Sequence, residues 1–153
     1  MKIGIILYSY SGNTLSVGER LKVLLLKKGH EVSLKRIKAS DEAPNSGKPI
    51  QLTEIPDTSQ YDEIILGAPV RAFSLNPIMK AYLAKLPDLQ GKKISCFVTE
   101  HFPKAWMGGN HAIKQIKRMV SAKNGNIADC GVVNWSNAIR EEQINEMLSR
   151  FSS

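Results

Sequence analysis

A chain of 153 residues can bury one good core, and it is most simply organised as one domain spanning 1–153. With 42% hydrophobic and 23% charged residues it has the composition of an ordinary soluble globular protein, and no apolar run is long enough to span a bilayer. The net charge of +7 is not accompanied by aromatic residues interleaved with the cations, which argues against a stacking platform for single-stranded nucleic acid.

The first strand is the apolar run Lys2–Tyr8. It starts directly after Met1 with no signal-peptide cleavage site, so the expected location is the cell interior. Ser9-Tyr10-Ser11-Gly12-Asn13-Thr14 follows and opens a helix with Val17, Leu21, Leu24 and Leu25 on one face, closed by Lys27-Lys28-Gly29. Hydroxyls and a glycine between a strand end and a helix start suit a phosphate, because unpaired N–H groups and the positive end of the helix dipole converge there. The same residues suit a turn that merely caps the helix. No lysine or arginine lies in the loop, so a phosphate is expected to meet neutral donors, which argues against a nucleoside triphosphatase with its Gly-Lys-Ser/Thr loop.

The second strand is Glu31–Ile37, followed by a polar stretch from Lys38 to Gln60 with Pro44, Pro49 and Pro56 and no helical period. The third strand, Asp62–Gly67, leads into Ala68-Pro69-Val70-Arg71-Ala72-Phe73-Ser74, where Pro69 is expected to hold Val70 to Phe73 extended as a wall. Asn76-Pro77 caps a helix that buries Ile78, Met79, Tyr82, Leu83 and Leu86. The fourth strand, Lys93–Val98, is followed by a long loop, Thr99-Glu100-His101-Phe102-Pro103-Lys104-Ala105-Trp106-Met107-Gly108-Gly109-Asn110, and a helix to about Val120. A fifth strand, Ile127–Val133, and a helix near Glu141–Phe151 burying Ile144, Met147, Leu148 and Phe151 complete the chain. Short apolar strands separated by helices mean a parallel sheet covered on both faces, a three-layer doubly wound α/β fold.

Such sheets bind ligands beyond the carboxyl ends of their strands, where the winding reverses. A phosphate cradle flanked by two aromatic-bearing loops suits a ligand with one phosphate and one flat ring. Phe73 and Phe102 serve a ring or the core equally well, Trp106 reads as a lid or partner surface, and Trp135 as packing. His101 reads as a surface residue. His30 and His111 lack metal-ligand spacing, and Cys96 and Cys130 read as inert core thiols. Residues 92–123 hold seven Lys/Arg against Glu100 alone, while 39–69 hold six acids against Lys48. Lys114, Lys117 and Arg118 alternate with apolar residues and read as a solvated helix face. No Gly-x-Ser-x-Gly elbow supports a serine hydrolase, and the acids a phospho-receiver needs after the first strand are replaced by Ser9 and Tyr10.

The segment Ser9–Thr14 resembles the phosphate loop of the flavodoxin family. Gly67-Ala-Pro-Val-Arg-Ala-Phe-Ser-Leu-Asn-Pro-Ile-Met-Lys-Ala-Tyr-Leu83 is similar to that family's second flavin loop and following helix, and Phe97-Val-Thr99 with Gly108-Gly109 to its third. The resemblance runs the length of the chain and implies five parallel strands in the order 2-1-3-4-5, the winding for which flavodoxin is a standard example. It further implies non-covalent flavin mononucleotide (FMN), with Ser9, Tyr10, Ser11, Gly12, Asn13 and Thr14 at the phosphate. Pro69, Val70, Arg71, Ala72, Phe73, Thr99, Glu100, His101, Phe102, Gly108 and Gly109 would border the ring. The implied role is electron transfer between redox partner proteins. The alternatives are a small FMN-dependent NAD(P)H oxidoreductase passing electrons to a quinone-type acceptor, and a flavin-free binding module. Departures from the family are Ser11 in place of a usual threonine, Arg71 where an aromatic is common, a missing helix after the second strand, and the basic charge.

Overall fold

A computed structural model describes residues 1–41, 49–104 and 107–152. Trp106, Pro44 and Lys48 of the sequence reading lie outside the described residues. The apolar run at the start forms β1 (Lys2–Leu7), and its alternating neighbours form β2 (Glu31–Arg36), β3 (Lys38–Ala39), β4 (Leu52–Glu54), β5 (Glu63–Arg71), β6 (Ser74–Leu75), β7 (Lys93–Glu100) and β8 (Asn126–Asn134). The helices are α1 (Asn13–Lys27), α2 (Pro77–Ala84), α3 (Gly109–Ala122) and α4 (Arg140–Phe151).

The main sheet runs β2-β1-β5-β7-β8, and each of these pairings is parallel. This is the expected five-strand order once the short β3, β4 and β6 are counted separately. β1 and β5, on which Ile5, Ile64, Ile65 and Leu66 are at most 1% exposed, are central strands buried on both faces. One face packs Ile6, Leu66, Cys96 and Val98 against α2 and α3 through Met79, Leu83, Ile113 and Ile116. The other packs Ile5, Ile65 and Phe97 against α1 and α4 through Val17, Leu21, Ile144 and Met147.

Two features went unread in the sequence. The polar stretch after β2 contains a small antiparallel ladder, β3 with β4. The second loop is a hairpin rather than a wall: β5 continues to Arg71, turns at Ala72-Phe73 and returns as antiparallel β6. As expected, Asn76 caps α2, its Oδ1 accepting from Ile78 N at 2.8 Å. Among the described residues no helix is long and apolar enough to cross a membrane.

Candidate functional site

The chain leaves β1 for β2 on one side and reaches β5 on the other, so the winding reverses at the carboxyl ends of β1 and β5. There Gly12 precedes α1 with φ of +97°, and a side chain built at Gly12 would meet nothing within 4 Å. The space above this turn is therefore open, and only a glycine holds the turn without strain. Ser9 is buried, and its Oγ accepts from Leu15 N at 3.2 Å, filling one of the donors at the head of α1. The N–H groups of Asn13 and Thr14 come before Ser16, the first residue to donate within the helix, to the Gly12 carbonyl at 3.0 Å, so they have no intrahelical acceptor. Ser11 and Tyr10 are exposed beside it. Thr14 turns away: the residue is 1% exposed and its hydroxyl shares a 2.8 Å hydrogen bond with Thr99 Oγ1, joining the head of α1 to the end of β7.

A cation reaches this turn from the neighbouring strand. Arg36, the last residue of β2, donates from Nη2 to the Ser9 carbonyl at 3.4 Å. The donor set is thus not wholly neutral, as reading the loop alone suggested. The signal was present in the strand order, which sets the end of β2 beside the end of β1.

The hairpin of β5 and β6 stands next to the turn. Ala72 and Phe73 have φ of +49° and +62°, the pattern of a type I′ turn made without glycine or asparagine. Gln115 of α3 clamps the return strand, its Oε1 accepting from Leu75 N at 2.8 Å and Ser74 Oγ at 3.0 Å. Phe73 is 55% exposed, so it is no core residue. Its ring lies on that of Phe102 from the third loop, with centroids 4.8 Å apart and planes 7° from parallel. The two expected ring-bordering aromatics therefore meet each other. Gly108 seals the same junction, since a Cβ there would lie 2.7 Å from Phe73 Cα.

The third loop is held from below by residues that no motif singled out. Asn134 Nδ2 donates to the Phe102 carbonyl at 3.1 Å, Ser136 Oγ to that of His101 at 2.5 Å and Asn137 Nδ2 to that of Pro103 at 3.0 Å. The only signal for them was the polar run that follows the last strand. Glu100 points inward, 3% exposed. Its Oε2 accepts from Gly109 N at 3.0 Å and its Oε1 from Asn134 Nδ2 at 2.5 Å, while Asn134 is itself paired with Gln143. A carboxylate at the first N–H of α3 complements the helix dipole.

No protein-family model matches the sequence, and no curated protein matches it. Solved structures do. The chain superposes on the oxidised Flavodoxin 2 of Bacillus cereus with a TM-score of 0.69 and 20% identity, covering 99% of this chain and 98% of that one. It superposes on a short-chain flavodoxin associated with a non-canonical PDU bacterial microcompartment at 0.69 and 13% identity, covering 100% and 99%. A Lactobacillus acidophilus flavoprotein in complex with FMN gives 0.62 and 20% identity over 93% and 97%. The fold is that of flavodoxin.

On this flavodoxin fold the three loops after β1, β5 and β7 meet at one end of the sheet, as expected. Within them, Ser9, Ser11, Gly12 and Asn13 surround the open turn, and Val70, Phe73, Phe102 and Gly108 form the aromatic junction. Pro69 and Arg71 are half-buried in the hairpin, Ala72 is exposed at its tip, and His101 is exposed. Thr14, Thr99, Glu100 and Gly109 present no free face: the first two bond each other and the last two form the α3 cap. Among the described residues no group of three potential metal ligands occurs.

The buried cap makes stability depend on pH. Burial pushes the Glu100 carboxyl above its ordinary 4.5, against the opposing hydrogen bonds from Asn134 and Gly109. The folded chain thus binds this proton more tightly than the unfolded one. The contribution is complete below the unfolded value and is lost as pH rises through the folded value. Glu100→Gln removes the titration, so the wild-type Tm is expected to fall relative to that of the variant as pH is raised through the ordinary carboxylate value of 4.5 and above it. Thermal melts of both proteins across that range check this, and parallel curves would overturn it.

Proposed function

We propose that the protein binds one FMN non-covalently and carries electrons between redox partners. The observation that carries this reading is the meeting, at one switch point, of an open anion-suited turn and an aromatic junction, linked through Thr14 and Thr99. Ser9, Ser11, Gly12, Asn13 and the backbone N–H of Thr14 would hold the phosphate, with Arg36 beside them adding charge. A single phosphate suits this donor set, which offers several N–H and O–H groups and one nearby guanidinium. Val70, Phe73, Phe102 and Gly108 would border the ring. The neighbours named as flavodoxins, and the flavoprotein solved with FMN, share the fold on which this reading rests.

Bound flavin supplies the redox chemistry, and the chain contributes position, exclusion of water and charge. Phe73 is more than half exposed, so the aromatic junction opens on the surface rather than into a closed chamber. An edge accessible at the surface suits exchange with another protein and requires no substrate pocket. Titration of the purified protein with FMN and with riboflavin, followed by flavin fluorescence, tests the reading. FMN is expected to bind at least tenfold more tightly, about 1.4 kcal/mol of phosphate recognition. Absence of binding by either ligand would overturn it. Mixing the loaded protein with reduced nicotinamide alone is expected to leave it oxidised, and rapid oxidation of the nicotinamide would favour a reductase.

A further inference from the structure

Cys96 and Cys130 lie away from the loops described above, paired in register across β7 and β8. Between the pairs Ile94–Ile127 and Cys96–Cys130 the ladder advances two residues on β7 but three on β8, so β8 carries a bulge. Without the extra residue Cys96 would face Asp129. The bulge is therefore what sets thiol opposite thiol, and Ser95 Oγ holds it by accepting from Asp129 N at 3.3 Å. The sulfurs are 3.4 Å apart and both are free thiols. Neighbouring strands lie about 4.8 Å apart, inside the Cα separation of roughly 4.4–6.8 Å that a disulfide spans.

The two thiols differ in access. Cys96 is fully buried beneath α3, whereas Cys130 is half-buried on the edge strand. Cys96 donates its S–H to Cys130, which favours the thiolate on the reachable sulfur; Lys117 of α3 adds to this and burial and Asp129 oppose it. Cys96 is the buried core thiol expected from the sequence, whereas Cys130 packs against the same core only partly buried.

We propose that Cys96 and Cys130 form a dithiol modification site that hydroperoxides convert reversibly to a disulfide. The Cys130 thiolate attacks the terminal peroxide oxygen, the O–O bond breaks, and the alkoxide or hydroxide leaves and takes up a proton. The resulting Cys130 sulfenic acid is attacked by the Cys96 sulfur; the S–O bond breaks and water departs with the Cys96 proton. Two thiols lose two electrons and two protons, and the peroxide is reduced to an alcohol, or to water, with a second water from the sulfenic oxygen.

The test treats the native protein with a few equivalents of hydrogen peroxide, then unfolds it under an alkylating quench. Free thiols are expected to fall from two to none, with a mass loss of about 2 Da for the two hydrogens removed. Trypsin is expected to release peptide 94–104 joined to peptide 124–140, and dithiothreitol to separate them. In Cys96→Ser the same treatment is expected to leave a Cys130 sulfenic acid that dimedone traps. Two thiols retained, oxygen added to Cys130 without a cross-link, or a disulfide formed only between two molecules would each overturn the proposal.

Discussion

Ser11→Asp is expected to weaken FMN binding by a hundredfold or more while changing riboflavin binding far less. Ser11 is exposed at the open turn and Gly12, not Ser11, is the residue preceding α1, so the new side chain displaces no packing. A carboxylate near a helix N-terminus is favourable to the helix itself. A capping-only role for Ser9–Thr14 therefore predicts a harmless or slightly stabilising change. A phosphate at the turn instead meets a like charge: at about 4 Å and an effective dielectric of about 20, one pair of unit charges repels by ~4 kcal/mol. Exposure and salt reduce that figure, and a remainder of ~2.8 kcal/mol is already a hundredfold in affinity. Riboflavin, without the phosphate, escapes the repulsion. Fluorescence titration with both ligands, beside circular dichroism to confirm folding, decides the matter. Equal losses for the two ligands, or none, would remove the phosphate from this turn.

Gly108→Ala is expected to damage both ligands alike and to lower stability as well. At φ of +127° the position admits glycine and little else, and the added Cβ would press on Phe73 Cα at 2.7 Å, on Phe73 C at 3.0 Å and on Val70 Cγ1 at 3.0 Å. Two of these neighbours are backbone atoms of the hairpin tip, which cannot yield by a rotamer change. Backbone strain of about 1–3 kcal/mol, at roughly 2–4 °C per kcal/mol for a chain of this size, predicts a Tm lower by several degrees. The hairpin also moves off the third loop, so the Phe73–Phe102 contact opens. FMN and riboflavin affinities are expected to fall by similar factors, the opposite of the Ser11→Asp signature. A variant with unchanged Tm and unchanged affinities would show that Gly108 does not join the two loops.

The difference between these outcomes reflects what each stretch of sequence makes legible. Strand and helix alternation could be read because apolar runs such as Ile3–Leu7 and Ile64–Leu66 are bounded by helices with repeats such as Ile144, Met147, Leu148 and Phe151. The turn after β1 could be read because glycine and hydroxyls mark it locally. The β5–β6 hairpin could not: Ala72-Phe73 carries none of the Asn-Gly chemistry that usually announces such a turn, and its conformation is imposed by Gln115 and Phe102 from distant parts of the chain. The resemblance of the third loop to the family's implies Glu100 at the ring border, and nothing in the sequence shows which way its side chain points. Its inward orientation depends on Asn134 and Gly109, partners 34 and 9 residues away. Arg36 and Thr99 likewise acquire their roles only through strand order, which brings the ends of β2 and β7 to the head of α1.

The bulge in β8 also bears on how the molecule keeps to itself. β8 is an outer strand of the main sheet, and an outer strand offers a row of backbone groups on which a second chain could continue the ladder. The extra residue breaks the two-residue rhythm that a regular incoming strand must match. Just beyond it, Arg150 Nη1 already donates to the Cys130 carbonyl at 2.9 Å, occupying one of the acceptors an intruder would use. A defect in regularity thus protects against edge-to-edge aggregation, and a deletion that restored a regular β8 would create a stickier protein.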